Sequence, residues 1–402
     1  MFPYPSGAGL HIGHAYNYAV IDSYCRWLRY KGERVFQPFG YDAFGLPVEM
    51  YAKKVGRDPA DVTRENIKNF RAQMQRMNTQ YQDILITCDQ SYYCWSQWLF
   101  TQMRERGLAY KASKVVPYDP HARTVLANEQ VDGDISKITG VNVEYINQPQ
   151  WFFRITDYRD RLIGNLNTLD YPASTIKSQR YWLSNLNDWC VSRQRSWGTP
   201  IPIEGETDTL DTFVDSSFYF LRYLDPENTD SLVAKDKARP VDLYVGGSEH
   251  ACAHLIYARF VTMFLYDIGV IDFEEPFKKV VHQGIITRDG HKMSKSFGNS
   301  ISPDQYDPDE LRLYLMFIGP YTDGGDWNDK HISGVSRFLK RMKVWLSKED
   351  GHDVAPVQEL ENAIAGHVQR FKFNRVVSDF MTFLNNHRSK SLTIENKRAI
   401  ED

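Results

Sequence analysis

Apolar residues recur at a three-to-four spacing from about His11 to Tyr30, which predicts an amphipathic helix with Gly32 as its C-terminal cap. A short strand-like run, Arg34 to Pro38, follows. The charged stretch from Pro59 to Asn78 reads as one or two surface helices, and residues 90–108 as another amphipathic helix closed by Gly107. Between about 111 and 180 short strand-like pieces alternate with turns, the most apolar being Trp151-Phe152-Phe153. From Asp242 to Gly247 the pattern is a buried strand ending in a glycine turn, with helical spacing onward to about Tyr266. Phe277 to Thr287 reads as a second strand, followed by a tight turn at Asp289-Gly290. Beyond about residue 331 only helical periodicity remains. Strand–turn–helix units of this kind predict an α/β fold with a parallel sheet under covering helices, then the start of a helical bundle.

Composition narrows the function classes only a little. A chain of 402 residues, 42% hydrophobic and 25% charged, is ordinary for a soluble protein of two or three domains. Its formal net charge of -3 excludes a uniformly basic coat, so a nucleic-acid partner would need a local basic face. Cys25, Cys88, Cys94, Cys190 and Cys252 form no CxxC pair and no Cys/His set with zinc spacing. Scattered thiols of this kind suit a reducing, cytoplasmic location, and no metal site is expected. No apolar run is long enough to span a bilayer, and residues 1–20 lack a signal-peptide pattern, so no membrane partner is expected.

Two motifs carry chemistry. His11-Ile12-Gly13-His14 opens a helix directly after a turn-rich segment, placing two imidazoles on one face of a turn. Gly13 leaves room for a flat base or a phosphate, and the helix N-terminus adds N–H donors and positive potential. Alone, the pattern would equally suit a metal pair or two polar helix-start residues. Lys292-Met293-Ser294-Lys295-Ser296 follows the Asp289-Gly290 turn. Two ammonium groups there could neutralise a triphosphate and follow its charge onto departing pyrophosphate; alone, the segment would pass for a solvated basic loop.

The two motifs together resemble the paired signatures of class I aminoacyl-tRNA synthetases. Through most of residues 1–345 the chain is similar to the leucyl-tRNA synthetases. The resemblance is carried by Met1–Gly7, Gly40–Pro47, Thr124–Gln130, Asp188–Pro202, Asp211–Ser217 and Gly246–His250, in that order. It implies a Rossmann-like catalytic domain with a parallel sheet, followed by a partial α-helical bundle. It also implies ATP with Mg2+, leucine and tRNA(Leu) as substrates and partners, in a monomer. His11, His14, Lys292 and Lys295 would be catalytic. ATP would be held by His11, Gly13, His14, Gly247, Glu249, His254, Lys292, Met293 and Lys295. Asp42 would take the substrate ammonium, and Phe2, Tyr4, Phe213, Ser216, Tyr219 and His250 would shape the leucine pocket. Arg193, Arg195 and Trp197 would face the acceptor end of tRNA.

Several family features are missing. Only Leu183–Asn187 stands where the leucyl enzymes insert an editing domain, and Val131–Ser136 replaces a cysteine-rich zinc module. A segment between Ile203 and Glu204 is absent, and the loop after Tyr306 is short. The core strand that the family places before the residues matching Met1-Phe2 has no counterpart, so the pocket is expected to open at the N-terminus. The expected division is residues 1–110 and 188–330 as the catalytic halves, 111–187 as the connective insertion and 331–402 as the partial bundle. The expected function is leucine–tRNA ligation without hydrolytic editing. Two alternatives stay open: a paralogue that loads an amino acid onto another acceptor, and a nucleotide-binding module without catalysis.

Overall fold

The helix that the apolar spacing predicts runs from Ile12 to Tyr30, with the chain leaving it through Lys31 and Gly32, which takes a left-handed φ of 86°. In the computed structural model, which describes residues 1–5, 9–126, 130–293, 298–348 and 356–401, the chain divides into two units. One comprises Met1–Ala8, Pro38–Lys68 and Gln82–Val281; the other comprises Gly9–Gln37, Asn69–Tyr81 and His282–Asp402. Packing groups the Ile12–Tyr30 helix with residues far downstream, which a linear reading cannot anticipate.

The first unit is built on two strand pairs. Pro38–Tyr41 lies parallel to Gln82–Ile86, later in the chain than the expected Arg34–Pro38 run. Gly40 is needed there, because a Cβ would stand 2.7 Å from the Leu85 carbonyl oxygen and 3.0 Å from the Tyr223 hydroxyl. Tyr244–Gly246 pairs with Val280–His282, and the parallel bridge Val241–Phe277 extends the pairing. The Met1 amino group donates to Val245 O at 2.6 Å and Asp42 N–H donates to Pro3 O at 2.9 Å. Residues 1–3 thus bridge the two pairs through one hydrogen bond to each. The expected Phe277–Thr287 strand is broken at Gln283-Gly284 into Val280–His282 and Ile285–Arg288.

Burial explains the helix His254–Asp267, in which every residue from His254 to Leu265 is buried; an element enclosed on all sides has no polar face to show. Trp189 stacks on its Tyr257 at 3.8 Å, and Tyr244 on Phe277 at 3.7 Å. Residues 111–180 hold the expected short strands and also two long ones: Ala109–Asp119 pairs antiparallel with Glu144–Phe153. Helices Arg159–Asn165 and Ala173–Ser184 follow, with apolar stripes too short to stand out in sequence. Val131–Asp132 and Ile135–Ser136 form a small hairpin.

In the second unit Ile285–Arg288 pairs antiparallel with His291–Lys292 and parallel with Gly324–Trp327. Asp22, fully buried on the first helix, binds Arg26 at 2.9 Å, Arg312 at 2.8 Å and the Gln80 N–H at 2.7 Å. This network fastens three separate stretches of chain. Helices Asp329–Leu346, Val357–Gln369, Phe373–His387 and Ile394–Glu401 complete the unit. Among the described residues no helix is long and apolar enough to cross a membrane.

Candidate active site

In the first unit the centre is Asp42, at the end of the strand Pro38–Tyr41 and only 1% exposed. Its Oδ1 accepts a hydrogen bond from Thr212 at 2.9 Å. Burial, reinforced by the neighbouring negative charge of Asp215, pushes its carboxyl well above the usual carboxylate range. Asp215 is also enclosed. Its Oδ1 accepts from Ser96 at 2.6 Å and Thr199 at 2.7 Å, its Oδ2 has no hydrogen-bond partner, and burial raises its pKa to about 7. The third carboxylate, Asp211, caps the turn Thr212–Asp215 and is ion-paired with Arg193. Arg193 answers Asp211, whereas Asp42 and Asp215 are met by hydroxyls rather than by a bonded cation. A ligand ammonium entering beside Asp42 would give it a charged partner.

Aromatic residues wall this place. Phe2 stacks on Tyr219 with ring centroids 3.9 Å apart and planes 10° apart. Burial raises the Tyr4 hydroxyl pKa strongly, with Asp42, Asp211, Tyr219 and Glu249 adding to it. The Tyr219 hydroxyl bonds that of Tyr244 at 2.5 Å, which in turn bonds His254 Nε2 at 2.5 Å. Phe2, Tyr4, Tyr219 and Asp42 are thus gathered in one locality. Phe213 packs on Tyr257 at 5.7 Å, as a core residue does, and Ser216 bonds the Phe213 carbonyl at 3.4 Å. His250 is half-buried on the turn Ser248–His250.

Glu249 is exposed on the same turn, and its carboxylate folds back over Gly247; a Cβ on Gly247 would stand 2.0 Å from Oε2. The glycine is therefore what lets the acid lie against the strand end, the place where such folds receive nucleotides. His254 does not fit its expected part as an ATP contact. It is 3% exposed and committed to Tyr244, and burial drives its pKa well below the ordinary histidine value, so it is a neutral core residue.

Arg193 likewise needs correction as a contact for the tRNA acceptor end. It is 1% exposed and bonded to Asp211 and, at 2.9 Å, to the Cys190 carbonyl, so no external phosphate can reach it. Arg195 keeps that possibility. Its guanidinium Nε has no partner, and burial beside Arg193 lowers its pKa to about 10. Trp197 donates to Ala43 O at 2.9 Å and meets the Phe44 ring edge-on at 5.0 Å, linking this loop to the segment that carries Asp42.

In the second unit, His11 caps the helix Ile12–Tyr30. Its Nδ1 accepts from Gly13 N–H at 3.0 Å, and His11 N–H donates to His14 Nδ1 at 3.3 Å. Both rings thus use Nδ1 as an acceptor, which fixes Nε2 as the N–H of each neutral ring. The rings stack at 3.9 Å. A side chain at Gly13 would meet the His11 ring at 2.8 Å, so the glycine serves ring placement as well as ligand access. Lys292 is exposed at the end of the hairpin, and Met293 is buried. The hairpin turn is fastened by Asp326, whose Oδ1 takes the Gly290 N–H at 3.0 Å and the Thr287 hydroxyl. Lys295 lies outside the described residues.

Thr212, Asp215, Tyr244 and Asp326 were missed in the sequence. Thr212 and Asp215 lie inside the Asp211–Ser217 block and could have been suspected. Tyr244 reads as an ordinary strand residue, and Asp326 lies where the sequence pattern assigns no element.

A Rossmann-like fold with parallel strands, a histidine pair at a helix start and a lysine-bearing hairpin together define the class I synthetase type. Family models agree: one for class I tRNA synthetases of the I, L, M and V group matches residues 2–205, and one for the M group matches residues 132–336. The chain belongs to the class I tRNA synthetases, and it is an aminoacyl-tRNA synthetase. Its relatives include leucine–tRNA ligases. That of Clostridium kluyveri is 30% identical over 590 residues, covering 85% of this chain and 73% of the relative. That of Clostridium perfringens is 30% identical over 653 residues, covering 96% and 80%. Among solved structures, a LeuRS–tRNA–LeuAMS ternary complex from Agrobacterium radiobacter K84 superposes with a TM-score of 0.90 at 25% identity, covering 97% of this chain and 80% of that one. Methionyl-tRNA synthetase of Mycobacterium tuberculosis bound by methionyl-adenylate shares the fold, with a TM-score of 0.77 at 22% identity, covering 98% and 85%.

Proposed function

We propose that the chain activates leucine with Mg-ATP and transfers it to the terminal ribose of tRNA(Leu), without hydrolytic editing. The observation that carries this reading is Asp42, a deeply buried carboxyl with a neutral hydroxyl as partner, set among Phe2, Tyr4 and Tyr219. A small amino acid with an apolar side chain satisfies both its charge and its surroundings. The similarity to leucine–tRNA ligases favours leucine among such amino acids.

In the first step a carboxylate oxygen of leucine attacks the α-phosphorus in line. The bond from that phosphorus to the bridging oxygen breaks, and pyrophosphate leaves with the electron pair. His11 and His14 would donate to phosphate oxygens, while Lys292 and Lys295 would take the charge growing on the leaving group. Glu249 would accept from the ribose hydroxyls. In the second step a ribose hydroxyl of tRNA attacks the leucyl carbonyl and AMP leaves, with Arg195 and Trp197 near the acceptor end. Mg2+ would accompany the triphosphate and offset part of its charge.

Absence of editing is supported by the short passage 185–188 between the helix Ala173–Ser184 and the strand Trp189–Cys190. A hydrophobic pocket alone separates substrates that differ by one methylene by only about 10–200-fold, so some mischarging is expected.

Exchange of labelled pyrophosphate into ATP, run with each amino acid in turn, tests the reading. Exchange should depend on leucine, and charging should then require tRNA(Leu). Exchange driven best by a different amino acid, or by none, would overturn it.

A further inference from the structure

We propose that Gln73 is a positioning residue that ties the loop entering the histidine pair to the loop leaving the lysine hairpin, so that both are held in one register. The inference rests on the adenylate-forming reading above.

Gln73 is buried on the helix Pro59–Arg76. Its Oε1 accepts the Leu10 N–H at 2.6 Å, immediately before His11. Its Nε2 donates to Asp304 Oδ2 at 2.6 Å and approaches Ser302 Oγ at 3.5 Å, on the segment that follows the lysine motif. Ser302 donates to the same Asp304 oxygen at 3.0 Å, which fixes the carboxylate that Gln73 meets. Alongside, Ile12 N–H donates to Ile301 O at 2.9 Å. The backbone before His11 is closed onto the amide. Gly9 has a φ of 131°, and a Cβ there would stand 2.7 Å from Gln73 Oε1. Phe70, one turn earlier on the same helix, lies 6.1 Å from the His14 ring. One short helix face therefore supports the His14 ring, the entry to His11 and the exit from the Lys292 segment.

Only a primary amide serves here without rearrangement. An acceptor must face the Leu10 N–H and a donor must face the Asp304 carboxylate, at the two ends of one rigid plane. An apolar side chain of similar size would leave the buried Leu10 N–H without a partner. Donors that act on a developing charge lose much of their effect when displaced by an ångström.

The test separates the two ends of the amide. Gln73→Glu keeps the acceptor for Leu10 but sets two carboxylates against each other at residue 304. Adding Asp304→Asn restores a donor–acceptor pair with its sense reversed. In leucine-dependent ATP–pyrophosphate exchange, measured well below the melting temperature of each protein, Gln73→Glu should lower kcat by about 10- to 100-fold with leucine KM unchanged. The double variant should recover to within about threefold of the native chain. A merely structural glutamine would lower the melting temperature without this split between kcat and KM, and without rescue; that result would overturn the proposal. An active native chain with an unaffected Gln73→Glu kcat would overturn it while leaving the function reading intact. No exchange by the native chain would overturn both.

Discussion

The two units handle charge in opposite ways. Around Asp42 three carboxylates are withdrawn from water; Asp211 is paired with Arg193, and the other two, met by hydroxyls, have their pKa values raised. Around His11 and Lys292 the groups are half or fully exposed, and small hydrogen bonds hold them: a capping box, a hairpin braced by Asp326 and an amide bridge through Gln73. Desolvation makes an unpaired charge costly, so the first arrangement favours a ligand that brings the missing cation. Preorganised donors in reach of solvent instead suit a large, highly charged ligand whose own charge moves during reaction. The proposed function uses the first for selection and the second for rate. Variants in the two units should therefore fail in different kinetic constants.

The largest effect is expected at Asp42. Asp42→Asn removes the buried partner of an ammonium and should reduce kcat/KM for leucine by about 10³-fold, with ATP KM little changed. Steady-state exchange kinetics in both substrates would check it. Lys292→Ala, and separately His14→Ala, should lower kcat by roughly 10²-fold while leucine KM stays near native. If either raises leucine KM as strongly as it lowers kcat, the contrast between the units breaks.

Asp215 sharpens the comparison through stability. Its pKa rises from 3.8 to about 7 in the fold, so the folded state binds the proton more tightly than the unfolded chain. The stability linked to that proton is fully present below about pH 4 and is lost as the pH rises through about 7, a difference of roughly 3–5 kcal/mol. Asp215→Asn should accordingly melt higher than the native chain at pH 8 and lose most of that advantage at pH 5. Thermal unfolding at the two pH values reads this directly. The smallest effect is expected at the hairpin. Asp326→Ala frees the Gly290 N–H and the Thr287 hydroxyl at an exposed turn, and should lower exchange kcat by about three- to tenfold without moving leucine KM.

What the sequence disclosed follows the same division. The histidine and lysine motifs are contiguous, so their residues and chemistry could be read before any fold was known. The helix Ile12–Tyr30 was equally legible, because its apolar stripe is long and its exit carries a glycine. The Asp42 locality is assembled from residues 2–4, 42, 96, 199 and 211–219, whose closeness no local pattern encodes. There the resemblance supplied the residues, and burial then decided among them. Arg193 and His254 were polar in type but prove enclosed and paired, and periodicity does not reveal how a buried polar group is satisfied. The extent of the pairing between residues 109–119 and 144–153 was lost for a related reason. Much of both strands is partly or fully exposed, which blurs the apolar alternation that marks a strand.

Competition between partial analogues of leucine tests most directly the claim that buried Asp42 selects a ligand by its ammonium group. Leucinol keeps the ammonium and the side chain but lacks the carboxylate; 4-methylpentanoate keeps the carboxylate and the side chain but lacks the ammonium. In the exchange reaction leucinol should compete with leucine at a concentration within about tenfold of the leucine KM, and 4-methylpentanoate should not compete at any concentration near it. Inhibition by 4-methylpentanoate as strong as that by leucinol would contradict the account.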